Sequence, residues 1–197
     1  MITLSTRFQW LIGFVLVLLL VVTRGQHFAT LTHLPSASWS VFFIAGVYLR
    51  SWRILPFLLV LAAGLDYSAI KFGGVSDFCV SSVYVLLLPA YACLWFAGRW
   101  YARQYHFKWR TLLPLVTAIF VGASLCELFS SGGFYFFSGR FVDPTVVQFG
   151  ERLVKYFPPN LQSMAFYGGI AAIVHLLVVL TINTVSEQDH RNQQVSR

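Results

Sequence analysis

Residues 78–98 run without a single charge, and so long an apolar stretch severely limits where a chain can fold. A helix needs roughly 20 apolar residues to cross the hydrocarbon core of a bilayer. Elsewhere the charges gather in clusters and leave uncharged gaps of similar length. Six stretches read as spans, at about 8–22, 36–49, 54–70, 78–98, 111–129 and 161–185. The third carries Asp66 near its end and the fifth Glu127 in its last turn. The sequence therefore predicts an all-α integral membrane protein with six transmembrane helices in one domain over 1–186. Composition agrees, with 57% of residues apolar and 11% charged, against roughly 25% charged in an average soluble domain.

Lys and Arg counted on alternate sides set the expected orientation. With the N-terminus cytoplasmic, nine of the 14 fall inside (Arg7, Arg50, Arg53, Arg99, Arg103, Lys108, Arg110, Arg191, Arg197) and five outside (Arg24, Lys71, Arg140, Arg152, Lys155). Both termini are expected inside. The net charge of +7 then reflects topology and attraction to an anionic lipid surface, and nucleic acid has no place in the reading. Arg7 ahead of an apolar core imitates a signal peptide, but no small-x-small cleavage pattern follows Val22, so the first span reads as retained.

The longest polar connection, 130–160, reads as an outer cap. It opens SSGGFYFFSGRF, hinged by Gly132, Gly133 and Gly139, and continues through Asp143-Pro144 into TVVQFGERLVKYF, which is amphipathic at helical spacing. The polar segment 187–197 reads as a disordered cytoplasmic tail. Acids and aromatics gather at the outer side, including Tyr67, Phe134, Tyr135, Phe136 and Phe137. An interfacial belt explains Trp and Tyr at helix ends. Four consecutive aromatics in a glycine-hinged loop are better explained by a large flat ligand.

Three residues carry most of the chemical signal. Asp66 is costly, since a carboxylate in hydrocarbon is penalised by roughly 2.5–3.5 kcal/mol; it is either a structural acid paired with Lys71 or a backbone N–H, or a ligand contact. Cys79 begins a helix after a polar turn, where the dipole favours a thiolate. Thiolate is a soft ligand for transition metals, and one cysteine cannot hold a bare ion, so a metal bound here would arrive chelated in a tetrapyrrole-like ring. The alternatives for Cys79 are a buried small hydrophobe or a disulfide to Cys126. Tyr84 adds a phenol to this mouth, and His27 on the first outer connection lies within reach of it. Glu127, near an interface, reads as structural. His175 reads as a packing histidine between helices, and the pairs Ala165/Gly169 and Gly168/Ala172 as a small-residue face for close helix approach. No Walker loop, His-Glu-x-x-His or Gly-x-Ser-x-Gly elbow is present, which excludes ATP hydrolysis by this chain and leaves no free metal site.

Six short helices, outer loops forming a cap, and the runs LDYSAI and SDFCVSSVY resemble the BtuM family, cobalamin (vitamin B12) transporters of the bacterial inner membrane related to the S-components of energy-coupling factor transporters. The likeness covers nearly the whole chain. It implies an S-component-like bundle that takes up cobalamin from the outer, periplasmic side, with Cys79 as axial ligand to cobalt and Asp66 and Tyr84 lining the same pocket. His27, Tyr67, Phe134, Tyr135 and Arg140 complete the expected binding set. Slow decyanation of cyanocobalamin, dependent on Cys79, is a further expectation. S-components that dock on an energising module typically carry small-xxx-small residues in the first helix, where WLIGFVLVLLLVV offers Gly13 alone; uptake without such a partner is expected. The rival classes are an intramembrane cysteine peptidase or transpeptidase of exosortase type, using Cys79 with His27 as base and Arg140 as oxyanion donor, and a small scaffold subunit.

Overall fold

The computed structural model of the chain describes residues 5–24, 35–73 and 82–195, with side chains described as far as residue 181. Seven α-helices follow in order: α1 (Thr6–Arg24), α2 (Ser38–Tyr48), α3 (Ile54–Gly73), α4 (Leu87–Gln104), α5 (Leu112–Glu127), α6 (Gly133–Phe137) and α7 (Val146–Val195). Short 3-10 turns at Ser82–Leu86 and Trp109–Thr111 lead into α4 and α5, and a π-helical turn at Leu128–Gly132 joins α5 to α6. The fold is all-α. Five helical stretches are long and apolar enough to cross a membrane: Thr6–Arg24, Ile54–Phe72, Ser82–Gln104, Trp109–Phe137 and Val146–Thr181. Their outward faces are apolar too, with Trp10, Val60, Leu113 and Ile173 all well exposed, as expected of a surface that meets lipid.

The second expected span is the exception. Helix α2 has 11 residues, about 16 Å at 1.5 Å per residue, half of a hydrocarbon core of about 30 Å. It lies at the centre of the bundle, buried from Ser40 through Val47, and a helix apolar on every side belongs in such a place. Its C-terminal carbonyls are satisfied from α4: the Arg99 guanidinium donates to the carbonyls of Leu49 at 2.8 Å and Arg50 at 2.7 Å. Irregular backbone at membrane depth is tolerated where protein buries it.

Two glycines fix the axis of this core. A Cβ on Gly46 would lie 2.1 Å from the Trp95 carbonyl oxygen, and one on Gly98 would lie 2.1 Å from that of Phe43. Helices α2 and α4 thus pack backbone to backbone, each through the other's glycine. Tyr91 and Phe42 stack beside the crossing at 4.4 Å. The small-residue face read at 165–172 does not behave this way, because a Cβ on Gly168 or Gly169 would meet nothing within 4 Å.

The helix ends meet in two groups. Gln9 at the start of α1 accepts from the Arg50 backbone N–H, and Tyr105 after α4 meets His175 of α7 at 2.7 Å; this is the basic end. The opposite, acidic end joins Arg24, Ser38, Asp66, Tyr84 and Tyr91. With the short α2 counted, the first four helices therefore alternate in direction, α1 and α3 running towards the acidic end and α2 and α4 towards the basic one.

The expected cap is more helical than its composition suggests. Gly132 and Gly133 are helical and serve close packing, with Phe149 at 3.2 Å from a Cβ on the first and Leu86 at 2.3 Å from one on the second; neither is a hinge. Gly139, at φ +68, does make a turn, and so does Asp143 at φ 50. The amphipathic stretch forms the first turns of α7 and runs through Pro158 and Pro159 into the last apolar stretch without a break. Helical backbone also continues to Val195, over residues whose polar composition predicts no order; extending an existing helix costs little once it is nucleated.

Candidate functional site

Asp66 sits in the last turns of α3 and finds its partner on α1. Arg24 Nε donates to Oδ1 and a terminal nitrogen to Oδ2, both at 2.7 Å, in the two-pronged geometry that suits a guanidinium to a carboxylate. The other terminal nitrogen donates to Ser38 Oγ at 3.0 Å and Tyr91 Oη at 2.8 Å, and the guanidinium lies over the Tyr91 ring. Tyr84, in the 3-10 turn before α4, donates to Asp66 Oδ2 at 2.6 Å. Four helices and the 3-10 turn before α4 thus converge on one polar knot without net charge. Lys71, the expected partner, is not used: Arg24 takes both carboxylate oxygens and offsets the cost of placing the acid in an apolar helix.

The knot borders two cavities that share Tyr84 as a wall. One, of about 300 Å³, runs among Arg24, Leu59, Ala62, Leu88 and Tyr91. The other, of about 420 Å³, lies between Asp66 and Tyr84 on one side and Ser130, Phe134, Arg152 and Asn160 on the other. Sequence reasoning missed Arg152. Its guanidinium rests over the rings of Tyr135, Phe141 and Tyr156 at 5.5, 4.8 and 5.4 Å, so the aromatic run and the amphipathic helix hold one cation in the cavity wall between them. Four aromatics next to an arginine-bearing helix are the signal that could have found it.

Glu127 is buried in the bundle, and the chain continues as helix beyond it. Its Oε2 accepts from Asn160 at 3.3 Å, while Oε1 has no partner among the described residues. Next to it Cys126 is a fully buried free thiol.

Of the expected binding residues, the structure brings Asp66, Tyr84 and Phe134 to the larger cavity. Tyr135 is buried and does not line it, donating to Gln148 at 2.9 Å, accepting from the Thr145 backbone at 3.2 Å and stacking on Phe149. Tyr67 is 63% exposed on α3 and does not line the cavity. Arg140 is exposed on the turn after α6 and does not line it either. Cys79 and His27 lie outside the described residues, as does the proposed tight turn before the fourth span from 74 onward. Among the described residues, no three of His, Cys, Asp and Glu gather as a metal site.

Neither a family model nor a curated protein matches this chain. The site is therefore interpreted from its own chemistry. A neutral Arg–Asp–Tyr knot offers hydrogen bonds without a net field, and beside it the cavity combines an aromatic face, two serine hydroxyls and one cation. Such a lining suits flat apolar groups with polar edges.

Proposed function

We propose that this chain captures cobalamin, or a related corrinoid, at the acidic end and carries it across a bacterial inner membrane. The observation that carries the reading is the 2.6 Å bond from Tyr84 to Asp66 in the wall of a cavity that Phe134 also lines. An acid and a phenol 18 residues apart were expected in one pocket, and Cys79 precedes the turn that holds Tyr84 by only a few residues. In this reading Cys79 ligates cobalt, Phe134 covers part of the corrin, and Tyr84 and Asp66 meet the polar edge. The chain crosses the membrane six times in an S-component-like bundle, with the short α2 as the second crossing, and the basic end lies in the cytoplasm. Arg24 has a positioning role, since it leaves Asp66 as an acceptor without a free negative charge.

The test is a visible absorption spectrum of purified protein with cobalamin, for the native chain and Cys79→Ser. The expected result is tight retention of the coloured ligand by the native chain, with most of it lost and the remaining spectrum shifted in the variant. An identical spectrum and affinity in both would remove cobalt ligation by Cys79, and no retention by either would remove the corrinoid reading.

A further inference from the structure

Helix α7 is held against the chain around α2 at the level of Ser163 to Tyr167, and meets Tyr48 and Tyr105 again through His175 near the basic end. Ser163 donates to the Ser36 carbonyl, Ser40 donates to the Met164 carbonyl at 3.4 Å, and Tyr167 donates to the Pro35 carbonyl at 2.7 Å. On the basic side of Ser163 to Tyr167 a groove of about 630 Å³ opens between α7 and α2, α4 and α5, with Tyr48, Tyr105 and His175 in its wall. Elsewhere the walls are apolar, with Phe43, Val47, Leu115 and Ile119 facing Gly168 and Ala172. Measured along α7 from Met164 to Leu176, the groove is about 18 Å deep, close to one leaflet of a hydrocarbon core about 30 Å thick.

Its mouth is different. His106, Lys108 and Trp109 line it, on a connection whose backbone is fixed by the Thr111 hydroxyl bonding to the His106 carbonyl and the Thr111 N–H bonding to that of Lys108. Arg7, Arg50, Arg53, Arg103 and Arg110 belong to the same end. Among the described side chains none of these cations meets an acid, the one ion pair being Arg24 with Asp66 at the opposite end.

We propose that this groove binds one phospholipid with an anionic headgroup, an acyl chain filling the cleft and the phosphate resting on Lys108 and His106. Basic pockets between transmembrane helices are suited to such headgroups. A partner's membrane helix fits less well, because it needs a face that continues across the bilayer, and the ties at Ser163 to Tyr167 close this groove halfway. One acyl chain needs no more than the half.

The experiment is native mass spectrometry of the full chain, offered equal amounts of phosphatidylglycerol and phosphatidylcholine with identical acyl chains. One retained lipid per chain is expected, with phosphatidylglycerol preferred about fivefold for each cation engaged. Gly168→Leu, whose side chain has open space to enter, should abolish the adduct of both lipids. Ala172→Leu, one turn further along the same wall, is the second filling variant should the first unfold, with the melting temperature as the check on both. Lys108→Glu should keep a lipid but lose the headgroup preference. Equal retention of the two lipids by the native chain would overturn the proposal, as would adducts that survive a folded groove-filling variant. A dimer that disappears on filling the groove would assign it to a second copy and overturn the proposal as well.

Discussion

Arg24 is the residue that allows Asp66 to exist where it does. Removing one member of a mostly buried pair strands the other, at a cost of about 3–5 kcal/mol, whereas replacing both with apolar residues is often near neutral. Asp66→Ala should therefore lower stability by that amount in detergent melting experiments, and Arg24→Leu combined with Asp66→Leu should recover most of it. If the double variant is stable but no longer binds cobalamin, Asp66 contacts the ligand as well as Arg24; if it still binds, the acid is structural. That Asp66 needed a partner was legible in the sequence, because the penalty for a lone carboxylate is large. The partner's identity was not, since 42 residues separate the two and local spacing pointed to Lys71. Arg152 was hidden for a related reason, as only the fold brings its helix against Tyr135 and Phe141. Cys79 carries one more expectation: a thiolate bound to cobalt donates electron density that weakens a cyanide on the opposite face, which then leaves with its electron pair. Cyanide release above the level of a Cys79→Ala variant would bear this out, and equal release would make the protein a binder alone.

At the level of elements, glycine position decides which helices touch. Gly46→Ala and Gly98→Ala force a methyl group against backbone that cannot turn aside, so each should cost at least the about 1–3 kcal/mol typical of overpacking. Gly168→Ala faces open space and should be neutral or stabilise by up to about 1 kcal/mol, the difference in helix propensity. Melting temperatures of the three variants side by side check both statements. The sequence shows five of the long helices clearly, because a continuous apolar run is read without knowing its neighbours. It is misleading on packing. The repeated small pairs at 165–172 look like a contact motif and border a groove, while the real contact uses one glycine per helix and so has no spacing to detect. The burial of the second span was hidden for a similar reason, since the apolar run at 36–49 gives no sign that the helix at Ser38–Tyr48 lies at the centre of the bundle.

For the whole molecule, the bias of Lys and Arg towards one end makes topology testable. Reporter fusions after Phe107 and after Glu187 should both score cytoplasmic; an external signal from either would reverse the orientation and put the capture site on the wrong face. Growth of a cobalamin auxotroph that lacks its own transporter and any energising module, dependent on Cys79, would show that the chain works alone, and binding without growth would mean a partner is required. Helix α7 gives such a solitary carrier a mechanical link between its two faces. It meets Ser40 at Met164, and Arg152 in the cavity beside Asp66 and Leu176 at the groove mouth lie 12 residues to either side, about 18 Å each way. Both arms are held as well, by Arg152 against Tyr135 and Phe141 and by His175 against Tyr105, so one continuous helix joins the cavity beside Asp66 to the groove. Pro158 and Pro159 lie in the arm nearer Arg152, where missing ladder hydrogen bonds let the rod flex, which leaves the arm nearer His175 the stiffer of the two.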